Sequence, residues 1–375
     1  MTPGKLLNLL LMEAQLRLGA TKLRGLPYEW EVDVTNICQL HCPLCHTGLD
    51  NVRRVKGFMS YDLYTKVIDQ IKGSVLWLSL YSWGEPLLHK ELPKFVAYAH
   101  KNRIGTIISS NLNAHISPER AREIVQSGLD VIIISLDGVT QEVYQQYRVG
   151  GQLNRVLDNI RLLTRTKKKL GSSTPALEWQ FIVMRQNEHQ IPDARKLAKE
   201  LGVDSITFKK VDFPHGIHDE QLAKQWLPSS ASRERKERPF DKPYNENGAG
   251  RCWRLWRSSI INWDGGYAPC CYLTDAKDDF GSVTQESIKT IWNNVHYRTA
   301  RRMFTQKGYL PDIPLGCLSC NVYLDSPAGV YAQRHGLLAG HPKGQVAAKQ
   351  PVAVLRSAPA LAIPPVEQKG TATPK

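Results

Sequence analysis

Glu31-Val-Asp-Val-Thr35-Asn-Ile-Cys38-Gln-Leu-His-Cys42-Pro-Leu-Cys45 is the stretch on which the reading of this chain turns. Its first five residues are a short apolar-polar run that predicts a strand, and its last eight carry three cysteines on one loop. Three thiolates can hold three irons of a cubane and leave the fourth iron without a protein ligand. Iron-sulfur clusters are ordinarily held by four cysteines, so a local trio implies an open position that can bind something else. Zinc is the rival at this point. A structural zinc site closes with four ligands, and His41 or His46 offers a fourth.

Outward from that loop, short apolar runs alternate with helical patterns up to about Phe213. The runs are Glu31 to Thr35, Val75 to Leu80, Gly105 to Ser109, Val131 to Ser135, Glu178 to Val183 and Ser205 to Phe208. Between them, Tyr61 to Lys72 follows Ser60 as an N-cap, Ser117 to Gln126 reads as a second helix, and Pro192 to Leu201 ends at Gly202. Such alternation predicts parallel strands with crossover helices. Six units predict an α/β fold, a partial (β/α)6 barrel whose site lies at the C-terminal ends of the strands, by analogy with complete barrels.

The expected organisation is an N-terminal helical extension at 1–30, with a short amphipathic helix from Leu6 to Met12, and the barrel core at 31–214. A linker at 215–250, with Pro228, Pro239 and Pro243, leads to a small cysteine-bearing domain at 251–330. The Ala-, Pro-, Lys- and Gln-rich residues 331–375 are expected to be disordered.

At 375 residues and 42% hydrophobic the chain can bury a large core without disulfides. No segment reads as a secretory signal, and no run approaches the roughly 20 apolar residues of a membrane span. The expected compartment is therefore the reducing cytoplasm, where eight grouped cysteines point to metal rather than bridges. The net charge of +14 gathers in Arg161 to Lys169, Arg233 to Arg238, Arg251 to Arg257 and Arg298 to Arg302. None is long enough for a nucleic-acid tail. They suit solvated faces, or a docking surface for an acidic substrate or an acidic flavodoxin- or ferredoxin-type electron donor.

The CX3CX2C loop after the first strand resembles that of the radical S-adenosylmethionine (radical SAM) superfamily, and the likeness extends from about Glu31 to Cys320. Trp83-Gly84-Glu85-Pro86 is similar to that family's Gly-Gly-Glu motif, with Trp83 in place of the first glycine. Ser109-Ser110-Asn111 falls where relatives have a Ser/Thr-Asn pair. Ser135-Leu136-Asp137-Gly138 with Tyr144, Arg148 and Gly151 looks like the stretch that contacts ribose and the methionine carboxylate. Leu44 stands where many relatives carry an aromatic beside adenine. The resemblance implies a 4Fe-4S cluster on Cys38, Cys42 and Cys45, and S-adenosylmethionine bound near Leu44, Gly84, Glu85, Ser109, Asn111, Ser135, Asp137 and Arg148. It also implies cleavage of that cosubstrate to a 5′-deoxyadenosyl radical that abstracts hydrogen from a substrate.

A second group, Cys252, Cys270, Cys271, Cys317 and Cys320, spans 69 residues. Asn262 to Cys271 reads as a hairpin turning at Asp264-Gly265. Four thiolates suit structural zinc as well as an iron-sulfur cluster. The spacing from Cys252 through Gly266, Cys270, Gly281, Trp292 and Arg301 to Cys317-Leu-Ser-Cys320 resembles the auxiliary-cluster domain called SPASM, in its one-cluster or twitch form. That implies one auxiliary 4Fe-4S cluster on Cys252, Cys270, Cys317 and Cys320. Cys271 is left over, either a small buried residue or a thiol that donates hydrogen to a substrate radical, as in radical SAM epimerases.

The expected reaction is an oxidation of a small polar or carbohydrate-like substrate. An epimerase or a peptide- or protein-modifying enzyme is the alternative, and a non-catalytic iron-sulfur or zinc protein lies outside both. Thirty-seven residues precede Cys38, too few for a leader-peptide domain, which turns the expectation away from peptides.

Overall fold

The computed structural model describes residues 1–211, 224–229, 251–324 and 326–338. Strands β1 (Glu29–Val32), β2 (Trp77–Ser79), β3 (Gly105–Ser110), β4 (Val131–Ser135), β5 (Ala176–Val183) and β6 (Ser205–Lys210) lie side by side in chain order, all parallel. They are joined by α2 (Tyr61–Ile71), α3 (Leu92–Lys101), α4 (Pro118–Gln126), α5 (Gln141–Tyr147), α6 (Leu153–Leu170) and, between β5 and β6, α7 (Ile191–Leu201). Ser60 and Ser117 cap α2 and α4, and Gly202 ends α7 in the left-handed conformation, as the sequence predicts.

One face of this sheet is apolar and fully covered. Trp30, Val32, Leu78, Ile108, Ile132, Ile134, Leu177, Trp179 and Phe181 all belong to one core and are at most 1% exposed. Burying each such side chain contributes on the order of 1.5–3 kcal/mol. The alternate positions, among them Glu31, Ser79, Ile107, Ser109, Ile133 and Gln180, stay half-exposed and form the open face.

The cysteine-bearing residues after 250 extend the same sheet. Strand β7 (Ser258–Ile261) pairs parallel with β1, and β8 (Gly266–Ala268) and β9 (Gly281–Ser282) follow antiparallel, giving the order β6-β5-β4-β3-β2-β1-β7-β8-β9. The hairpin expected at Asp264-Gly265 is the β7–β8 turn. Arg54 clamps it: its guanidinium reaches Asp264 at 2.6 Å and Asp279 at 2.7 Å, and its side chain is only 4% exposed.

Three expectations shift. The first strand ends at Val32 rather than Thr35, because the chain then changes partners: the Val34 carbonyl takes the Met59 N–H at 2.9 Å, and Thr35 bridges Phe58. The N-terminal helix is not a short segment but α1 (Pro3–Leu18), whose Met12 and Leu16 are buried in the main core. A helix at Pro327–Arg334 crosses the boundary expected at 330, with Ala328 and Ala332 buried. Of the expected linker, 224–229 alone is described; the rest of it and 339–375 lie outside the described residues.

Candidate active site at the strand ends

The loop carrying Cys38, Cys42 and Cys45 is fixed by its backbone. The Cys45 N–H donates to the Cys42 carbonyl at 3.1 Å, Leu49 N–H to Cys45 at 2.9 Å, and His41 N–H to Val149 at 3.0 Å. Gly48 packs so closely that a Cβ there would overlap the Cys42 backbone. The three sulfurs are near enough to act on one another electrostatically. Burial pushes the Cys38 thiol up to about 12 and raises that of Cys42, against the pull of Arg148. Loading metal on these thiols therefore has to release protons.

The ends of β3 and β4 supply the surroundings. Asn111 points its Nδ2 at Cys38 Sγ, 3.6 Å away, while its Oδ1 accepts from Gln39 Nε2 at 3.1 Å. Arg148 Nη1 lies 3.8 Å from Cys42 Sγ, and Arg148 Nη2 is 2.6 Å from Asp137 Oδ2. Asp137 is fully buried; desolvation pushes its carboxyl up, Arg148 pulls it back, and its Oδ1 takes the Ile182 N–H at 2.7 Å. Ser109 and Ser135 touch hydroxyl to hydroxyl at 3.2 Å. Leu44 is buried in a separate apolar group with Leu40, Cys42 and Tyr147.

Two predicted residues have clear work inside the protein. Gly84 presses against β1's exit, where a Cβ would overlap the Thr35 carbonyl. The Glu85 carboxylate accepts from Ser110 Oγ at 2.7 Å, Leu87 N–H at 3.0 Å and Asn111 N–H at 2.8 Å, so it ties the end of β2 to the end of β3. Ser110, quoted within Ser109-Ser110-Asn111, had been given no role of its own, and Asp33 was passed over. Asp33 is 1% exposed, takes the backbone N–H groups of Ser82, Trp83 and Gly84, and is raised to about 7 by burial. Its position two residues after Glu31, in the run read as the first strand, was the available signal.

In the second group, Cys252, Cys317 and Cys320 act on one another, and burial raises the thiol of Cys252 to about 11. Cys270 and Cys271 form a neighbouring pair linked by a thiol hydrogen bond. Beside that pair sits Arg254, bonded at 2.9 Å to Glu31 on β1, with Tyr81 within their electrostatic reach. Cys270 was assigned with the other three and Cys271 set apart; here the two share one environment.

Residues 32–177 match the Radical SAM superfamily, and residues 252–321 match the SPASM iron-sulfur cluster-binding domain. This chain is a radical SAM enzyme with a C-terminal SPASM domain. A tungsten-containing aldehyde ferredoxin oxidoreductase cofactor-modifying protein of Pyrococcus furiosus is 22% identical over 316 residues, covering 78% of this chain and 86% of the relative. A PqqA peptide cyclase of Bradyrhizobium diazoefficiens is 25% identical over 189 residues, covering 50% of this chain and 48% of the relative. The crystal structure of Streptococcus suis SuiB bound to precursor peptide SuiA superposes with a TM-score of 0.58 at 15% identity, covering 85% of this chain and 74% of that one. At such identity the superposition speaks for the fold alone.

The two domains imply 4Fe-4S clusters together with S-adenosylmethionine. The residues fit such groups: Cys38, Cys42 and Cys45 act on one another, as do Cys252, Cys317 and Cys320, and Cys38 and Cys42 have N–H donors aimed at their sulfurs. No described helix is long and apolar enough to cross a membrane.

Proposed function

We propose that this radical SAM enzyme oxidises a small polar or carbohydrate-like substrate held on the open face of the sheet, between the two thiol groups. Cys38, Cys42 and Cys45 would hold the first cluster, and Cys252, Cys270, Cys317 and Cys320 the auxiliary one. When bound, these groups supply one-electron cleavage of S-adenosylmethionine and a 5′-deoxyadenosyl radical that takes hydrogen from the substrate.

The single observation that carries this reading is the Arg254–Glu31 contact at 2.9 Å. It brings the SPASM domain's Cys270 and Cys271 to the barrel's half-exposed face, where Ser79, Tyr81, Ser109 and Gln180 offer polar groups. Such a face suits hydroxyl- and amine-bearing substrates better than apolar ones. Arg148 and Asn111 would orient the cosubstrate's charged end beside the thiols, and Asp137 would hold Arg148 in place. The basic surface supports docking of an acidic flavodoxin- or ferredoxin-type donor.

A second reading, modification of a peptide or of another protein's cofactor, draws support from the relatives, whose names describe those two activities. Anaerobic reconstitution tests the common ground. Two cubanes require about eight irons per chain, and reduction in the presence of S-adenosylmethionine should release 5′-deoxyadenosine. Transfer of deuterium from a labelled polar small molecule into that product would support the oxidase reading; transfer only from a peptide would replace it.

A further inference from the structure

The surroundings of the thiol trio have two unlike sides. Asn111, Asp137 and Arg148 make one side polar. The other is an apolar group in which Leu40, Leu44, Tyr147, Met184, Val211 and Trp226 pack together with the loop's sulfurs. Two polar atoms are stranded on this second side. Trp226 is only 5% exposed, yet its Nε1–H has no partner among the described residues. Gln186 rests its Nε2 on Met184 Sδ at 3.5 Å, and its buried Oε1 likewise has no partner among the described residues. Neither position is loose. Arg185 N–H donates to the Trp226 carbonyl at 3.0 Å, Arg185 Nε donates to Leu227 at 3.2 Å, and the Tyr147 ring meets the indole edge-on at 5.6 Å. A buried donor and a buried acceptor without partners are both costly; one lies against Met184 and the other belongs to the apolar group that includes Met184.

We infer that Trp226 and Gln186 recognise the adenine edge of S-adenosylmethionine, an inference that rests on the trio being that cosubstrate's site. The cosubstrate's two ends differ as the two sides do. Its amino-acid end is charged and belongs with Arg148 and Asn111. Its adenine is a flat ring suited to Leu44 and Met184, and the ring's edge sets an N6–H donor beside an acceptor nitrogen. That edge offers what the stranded pair lacks: an N–H for Gln186 Oε1 and a lone pair for the Trp226 indole N–H. The pair would therefore select an adenine over a hypoxanthine, in which the N6 amine is replaced by a carbonyl.

The test measures equilibrium binding of S-adenosylhomocysteine and S-inosylhomocysteine to the anaerobically reconstituted full chain and to its Trp226→Phe and Gln186→Met variants. The inference predicts that Trp226→Phe weakens S-adenosylhomocysteine by roughly three- to tenfold, as loss of one hydrogen bond does. Loss of the indole's packing lowers the melting temperature of the ligand-free variant in either case, so the binding change is the deciding readout. A purely structural indole would leave binding unchanged. Gln186→Met should weaken the adenosyl ligand by a similar factor, leave the inosyl ligand unchanged, and so erase the wild type's preference. Binding of the adenosyl ligand within twofold of wild type in both variants would overturn the inference while leaving the trio's role intact. Failure of the underlying reading looks different: the wild type itself would then neither bind S-adenosylhomocysteine nor cleave S-adenosylmethionine.

Discussion

The two thiol groups of this chain are assembled in opposite ways. Cys38, Cys42 and Cys45 arrive on a single eight-residue loop, and the barrel comes to them: β2 delivers Gly84, β3 Asn111, and α5's end Arg148. Cys252, Cys270 and the Cys317–Cys320 pair come from three separate segments, the first two flanking a hairpin whose β7 pairs with β1. A local group keeps its geometry through its own backbone hydrogen bonds. A dispersed one depends on tertiary clamps such as Arg54 between Asp264 and Asp279, and Arg254 on Glu31. The first arrangement suits a site whose ligand must come and go, the second a site closed by protein.

The largest expected effect separates the groups by activity. Cys42→Ser should lower iron from about eight to about four per chain and abolish 5′-deoxyadenosine release, whereas Cys317→Ala should cost the auxiliary iron and spare that cleavage. Iron assay with product chromatography reads both.

Next in size is Asp137→Ala. It leaves the Arg148 guanidinium, 12% exposed, without its buried partner beside Cys42, and should cost roughly 3–5 kcal/mol in a denaturant titration. A smaller loss would mean that Arg148 finds another anion there.

Arg54→Leu tests the clamp on the dispersed side. At pH 8 it should cost on the order of 3 kcal/mol, since it leaves two carboxylates facing each other. Burial already raises Asp279 to about 6, so the penalty should shrink as the pH falls to 5 and that carboxyl takes up a proton.

The smallest effect per pH unit concerns Asp33, which directly follows the strand that both groups share. Its folded value of about 7 stands above its ordinary 3.8, so the native state binds the extra proton and the wild type loses stability as pH rises from about 4 to 7. Asp33→Asn does not titrate, so its stability relative to wild type should climb across that window, by at most roughly 1.4 kcal/mol per pH unit. Melting curves at pH 5, 6 and 7 measure it.

Legibility in the sequence follows the same contrast. The six strands and the first thiol loop could be read directly, because period-2 burial and CX3CX2C spacing are local properties. The residues proposed for the cosubstrate fell at strand ends, where the open sheet gathers them. What could not be read was long-range: that residues 258–261 pair with β1, that the Glu85 carboxylate is taken up by Ser110 and Asn111, and that Cys270 stands with Cys271. Each depends on contacts between residues far apart in the chain or on side-chain direction, neither of which spacing encodes. Helix α1 was underestimated for a related reason, since its buried face packs on the distant core rather than displaying a strong stripe of its own.

The central claim is that the Cys38-Cys42-Cys45 trio leaves one iron open to S-adenosylmethionine. Electron paramagnetic resonance of the reduced Cys317→Ala variant, which retains the first cluster alone, tests it most directly. The account predicts a change in the spectrum when S-adenosylmethionine is added. An unchanged spectrum, with the fourth iron already held by His41, His46 or a protein thiol, would contradict it.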